Sequence, residues 1–209
     1  MGDEQINASI QRIKSARRRK IVRRVLWSAL AAAIIGGGTA GIVYYSKRVN
    51  TDLPGMAYPN VGREHIALNA APPKPYNSNP PSSGAHYGTA ANWGVYDYEV
   101  NDKIFMHNLE HGGVWLSYRP TLSTEVINDL KRFVEDNKNS KLVMAPRSAN
   151  DADIAMAVWG RVLKLDLDGG TLKPEDLDKI SEFYKRLKNR GPELVPDTSP
   201  GIDPKTVQQ

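Results

Sequence analysis

Residues 25–45, VLWSALAAAIIGGGTAGIVYY, carry no charged side chain. A run of 21 such residues constrains the chain more than any other feature. As a helix rising about 1.5 Å per residue it spans a hydrocarbon core of roughly 30 Å, and in hydrocarbon its backbone polar groups must pair within the segment. Trp27 at one end and Tyr44 and Tyr45 at the other stand where interfacial aromatic rings belong. Eight basic residues (Arg12, Lys14, Arg17, Arg18, Arg19, Lys20, Arg23, Arg24) precede the run, and only Lys47 and Arg48 follow closely. That bias sets the N-terminus in the cytoplasm and the rest of the chain outside, in a single-pass protein of the cell membrane. Gly38-Thr39-Ala40 also resembles a signal-peptide cleavage site, but the long basic region and the apolar residues beyond it, Ile42 and Val43, favour a retained anchor. The basic stretch further suits anionic lipid at the inner leaflet.

The same residues explain the basic pI. With Asp3 and Glu4 set against the eight cations, residues 1–24 sum to +6, while the whole chain is +5, so the remainder is −1. A near-neutral body offers no basic face for nucleic acid. There is no cysteine, which excludes thiol catalysis, thiolate metal sites and redox-active dithiols. The expected organisation is a basic cytoplasmic tail (1–24), a transmembrane helix (25–45), a stalk (46–61), an extracytoplasmic domain (62–192) and a flexible C-terminal tail (193–209).

Seven of the 14 prolines fall between Pro54 and Pro81. Proline lacks the amide donor and holds its predecessor extended, so regular helix or central strand is not expected there. Met56, Tyr58, Val61, Ile66, Leu68 and Tyr76 are too many apolar groups for a solvated spacer, so this arm is expected to wrap the domain and partly join its core. Beyond it the pattern is regular. Residues 113–118 and 141–145 read as strands, and 154–167 as one long strand with Gly160 as a bulge or bend. Val126, Ile127, Leu130, Phe133 and Val134 make one helical face behind a Ser123 cap. Leu177, Ile180, Tyr184 and Leu187 make another behind Pro174. The order β-α-β-β-α predicts an α+β domain, a small mixed sheet with two packed helices.

All four histidines lie outside the regular half: His65, His86, His107 and His111. Imidazole is the commonest neutral metal ligand, and a group of four calls for a reason. His107, Glu110 and His111 spell H-x-x-E-H, which on a helix puts both imidazoles and the carboxylate on one face. A helix capped by Asp102 and ended by Gly112 competes here with a strand and turn. A hydrolase would need that helix beside a cleft and a third ligand, and it ranks behind two other readings. The first is a metal site of His86, His107 and His111 with Glu110, completed by His65 or Met106. Three nitrogens with a carboxylate suit zinc, and nitrogen with thioether suits copper. The second is a structural or interaction role in which the histidines bond backbone carbonyls and the chain serves a membrane-protein partner. The sequence leaves open whether the chain is an enzyme.

The ordered motifs NPPSSGAHYG (79–88), WGVYD (93–97), HNLEHGGV (107–114), YRP (118–120), VMAPR (143–147) and AVWGR (157–161) resemble the bacterial Domain of Unknown Function 3105 family, from about Gly62 to Pro192. Ala85 stands where that family's turn would carry proline. The resemblance implies a single-span membrane protein with this domain outside, and makes His86, His107, Glu110 and His111 part of a shared signature. It implies no particular activity.

Overall fold

The uncharged run is helical, and the helix is far longer than the run. In the computed structural model, which describes residues 2–138 and 140–207, α1 extends over Gly2–Thr51. Within it, Arg17–Tyr44 is long and apolar enough to cross a membrane. Hydroxyls inside this stretch bond back to the helix, Ser28 to the Arg24 carbonyl at 2.9 Å and Thr39 to that of Ile35 at 2.9 Å. Such back-bonding satisfies these two hydroxyls within the helix itself. The side chains of Tyr45, Lys47 and Arg48, part of the expected outer boundary, lie outside the described residues.

Residues from Leu53 onward form a second unit. Its centre is a six-stranded mixed sheet in the order β1-β8-β7-β5-β6-β4. The strands are β1 (Met56–Ala57), β4 (Gly94–Val95), β5 (Val114–Tyr118), β6 (Leu142–Pro146), β7 (Ile154–Val158) and β8 (Arg161–Leu165). β6 runs parallel to both β5 and β4, and the other pairs are antiparallel. The β5-to-β6 crossover is α3 (Thr124–Asp136), capped by the Ser123 hydroxyl as the sequence predicts. α4 (Pro174–Leu187) follows β8.

Strand alternation divides the core in two. Val114, Leu116 and Tyr118 of β5 join Leu142 and Met144 of β6 beneath the buried faces of α3 and α4. Trp115, Val143 and Ala145 turn to the opposite face and pack with Ile104, Phe105 and Leu109. These last three belong to α2 (Asp102–Glu110), which makes the HNLE of HNLEHGG helical and leaves His111 as the cap residue. Its cap is Asn101, whose side chain accepts from the Lys103 amide at 3.0 Å, rather than Asp102. Asp102 is instead the first helical residue and takes both arms of the Arg147 guanidinium, at 2.9 and 2.7 Å.

Three further expectations change. The single long strand over 154–167 is a hairpin, because Trp159-Gly160 makes a two-residue turn with Gly160 at φ +75°. The stalk ends early. Leu53 packs on the core, β1 pairs with β8, and Arg161 donates to the carbonyls of Leu53 and Gly55 at 3.1 and 2.6 Å. The C-terminal stretch, expected to be flexible, is tied down up to residue 207. The Ile202 amide donates to the Ala90 carbonyl at 2.9 Å, the Asn92 amide donates to that of Ile202 at 3.0 Å, and Pro204 is buried. Residues 208–209 of that stretch lie outside the described residues. The proline-rich arm wraps the α2 face as expected, and contributes a small parallel pair, β2 (His65–Ile66) and β3 (His86–Tyr87).

Candidate metal centre

The site is assembled from that pair and the last turn of α2. In the β2–β3 register His65 lies directly beside His86, fixed by the His86 amide donating to the Glu64 carbonyl at 3.0 Å. Facing residues of paired strands project from the same side, so the two imidazoles are brought together by the backbone. His107 and Glu110, three apart on α2, share one helical face. One ligand atom from each of His65, His86, His107 and Glu110 falls within a set whose members all lie within 4.8 Å of one another. Glu110 Oε2 is 3.1 Å from His86 Nε2 and 3.2 Å from His65 Nε2. The rings of His65 and His107 stack with centroids 4.9 Å apart, and Trp159, from the hairpin turn, meets the edge of His86 at 5.8 Å.

Two of the tautomers are fixed by main-chain acceptors. A carbonyl oxygen can only accept, so His86 Nδ1 donates to the Gly84 carbonyl at 2.8 Å and His107 Nδ1 donates to the Tyr87 carbonyl at 2.9 Å. In the neutral imidazoles the Nε2 atoms therefore carry the lone pairs. Burial drives the His107 pKa down to about 4, outweighing the carbonyl bond that raises it, so His107 is neutral at pH 7. The His86 Nε2 lone pair is then aimed at the Glu110 carboxylate, and that of His107 lies 3.0 Å from His111 Nε2. Such a concentration of electron pairs calls for a cation, a metal ion or a shared proton.

His111, the cap residue of α2, stands outside that fourfold set. Its Nε2 lies 3.0 Å from His107 Nε2 and 3.4 Å from Glu193 Oε2, and burial is again the main cause lowering its pKa. Met106 is fully buried on α2, but successive helical positions differ by about 100° in direction, which sets it apart from His107. Of the residues expected to bind, the structure thus joins His65, His86, His107 and Glu110, and places His111 against His107.

The rest of HNLEHGG holds this arrangement in place. Asn108 is buried and bonds both ways with the Ala91 backbone, at 2.9 and 2.8 Å. Gly112 has φ +78°, and a Cβ there would meet Asn189 Cα at 2.9 Å. The buried Lys141 reaches back to the His111 carbonyl with its ammonium at 2.7 Å, closing the C-terminal end of α2. Residues 70–199 match the family model described as Protein of unknown function (DUF3105). The chain belongs to this family. No curated protein and no solved structure matches it. The match reaches past the expected limit of Pro192 and takes in His86, His107, Glu110, His111 and Glu193, while His65 precedes it.

Sequence reasoning missed Glu193, Lys141 and the carbonyls of Gly84 and Tyr87. None carries a local signature, since each arrives through the backbone path of another segment.

Proposed function

We propose that this chain is a membrane-anchored protein whose extracytoplasmic domain binds one divalent transition-metal ion through His65, His86, His107 and Glu110. The observation that carries the reading is the convergence of one ligand atom each from His65, His86, His107 and Glu110 within 4.8 Å, with the Nδ1–carbonyl bond of His86 leaving its Nε2 lone pair 3.1 Å from the buried carboxylate. Donation of the distal ring N–H to a carbonyl is the usual support of a metal-binding histidine. Three imidazole nitrogens with one carboxylate, and no thiolate anywhere in the chain, favour zinc over copper. Two donors about 2.0–2.1 Å from a tetrahedral ion stand roughly 3.3 Å apart, close to the contacts that Glu110 makes with His65 and His86. The wider pairs draw in around the ion. Glu110 is turned into this group, which suits a ligand better than the general base of a hydrolase. The role fits metal handling, or support of a membrane-protein partner, at the outer face of the cell membrane.

The test is metal analysis of the full chain in detergent after reconstitution. About one equivalent of zinc is expected, reduced by replacing His86 or His107 with alanine. Less than a tenth of an equivalent of zinc or copper ends the metal reading. A second reading is supported by the same contacts, since 3.1 and 3.2 Å are also hydrogen-bond lengths. A proton between Glu110 and its histidines would then serve to order the arm, as in a purely structural or interaction protein.

A further inference from the structure

We infer that His111 and Glu193, with His107 Nε2 held in common, form a second, outer metal station through which a divalent ion enters and leaves the inner set. The inference rests on the proposed metal site and adds a route to it.

His107 belongs to two groups of donors, and Nε2 is the nitrogen it can offer to either, since Nδ1 is spent on the Tyr87 carbonyl. On its inner side a ring nitrogen of His107 lies within 4.8 Å of ligand atoms of His65, His86 and Glu110. On its outer side is His111 Nε2 at 3.0 Å, followed by Glu193 Oε2 3.4 Å beyond His111. Both spacings are close to the roughly 3.3 Å between neighbouring ligands of one tetrahedral ion. Exposure rises outward from the buried His107 to His111 and Glu193, whose side chains are 19% and 42% exposed, while His65 at the other edge of the inner set is 49% exposed.

Glu193 is held there by its backbone. Its amide donates to the Glu110 carbonyl at 3.0 Å, and the Asn189 amide donates to that of Gly112 at 2.8 Å. Gly191 lies so close to the end of α2 that a Cβ would sit 2.3 Å from both the Glu110 oxygen and the Gly112 nitrogen. The segment after α4 is thus laid against the helix end that bears His111.

One imidazole nitrogen offers one lone pair, so the two stations cannot both be filled through His107. The protein therefore holds one ion in total, and His107 passes it between the two sets. His65 also reaches solvent, but a departure on that side would leave the ion with a single rim donor. On the outer side, His107, His111 and Glu193 keep it coordinated throughout.

The experiment loads the full chain in detergent with one equivalent of Zn2+ and follows transfer to an excess of a chromophoric chelator. Glu193→Gln and His111→Ala should each slow transfer at least tenfold. Glu182→Gln, on the exposed side of α4, should leave the rate unchanged. Because Glu193 is half exposed, its substitution does not threaten the fold, and an unaltered melting curve verifies this. One bound equivalent with unchanged transfer in both variants overturns the outer station and leaves the inner site standing. So does a loss of equilibrium affinity in His111→Ala with no effect of Glu193→Gln, which would make His111 a fifth ligand of the inner ion. Two tight equivalents overturn the shared His107. No zinc bound by the unmodified chain removes the inner site, and this inference falls with it.

Discussion

Replacing Glu110 by glutamine keeps the side-chain shape and removes the one anionic donor in a set otherwise built of imidazoles. In the unmodified chain, Zn2+ at a hundred times its Kd stabilises the folded state by about 2.7 kcal/mol. For a unit the size of Leu53–Gln209, each kcal/mol moves the midpoint by about 2–4 °C, so the expected rise is roughly 5–11 °C. Taking the lost carboxylate at about 3 kcal/mol, the upper end for a charge-assisted contact, affinity falls on the order of a hundredfold. At the same metal concentration the ligand then only equals its Kd, and the residual stabilisation is about 0.4 kcal/mol, roughly 1 °C. The assay is a thermal melt of both proteins in detergent, with and without Zn2+ and with a chelator control. An equal metal-induced rise in both would show that the ion binds elsewhere. No rise in the unmodified chain, with Glu110→Gln melting well below it, would show that Glu110 serves a proton-bridged network.

In the metal-free protein, stability should fall as the pH drops from about 6.5 toward 4. His107 titrates near 4 when folded and near 6.5 when unfolded, so the unfolded chain binds the extra proton in that window. The loss, read by denaturant titration, should be about 2–3 kcal/mol and largely disappear in His107→Ala. Arg147→Met should cost about 2–4 kcal/mol, because it removes the donors to the Asp102 carboxylate and to the Asn79 side-chain oxygen and leaves that of Asn150 with Ser117 as its donor; a midpoint within 2 °C of the parent would contradict this. Gly191→Ala should lower the midpoint by several degrees through its clash with the end of α2, and an unchanged melt would mean that the approach there is loose.

Legibility followed the range of the forces involved. α3 and α4 were readable because their burial repeats every three or four residues, and Ser123 and Pro174 mark their starts. β5 and β6 were readable from their apolar, β-rich runs. The β7–β8 hairpin was not, since Trp159 continues the apolar pattern and only the positive φ of Gly160 reveals the turn. α2 stayed ambiguous because nearly all of it is buried, so no polar face betrays the helical period. At the site, the spacing of His107 and Glu110 was visible in the sequence. The partnership of His65 with His86 depends on a two-residue parallel pairing that no periodicity announces. Glu193 depends on a loop closing between two helix ends, which is more remote still.

The Gly84 and Tyr87 carbonyls that orient His86 and His107 belong to the main chain, and every amino acid at those positions supplies the same oxygen. Where a carboxylate side chain does this work, exchanging it for an amide offers a lineage a graded adjustment of ligand basicity. Here that adjustment is unavailable, because no substitution can dim a carbonyl. Drift in residues 84–87 can displace the donors only by bending the strand that carries them, so divergence among descendants should leave the pull of the imidazoles constant and register instead in the gap between β3 and α2.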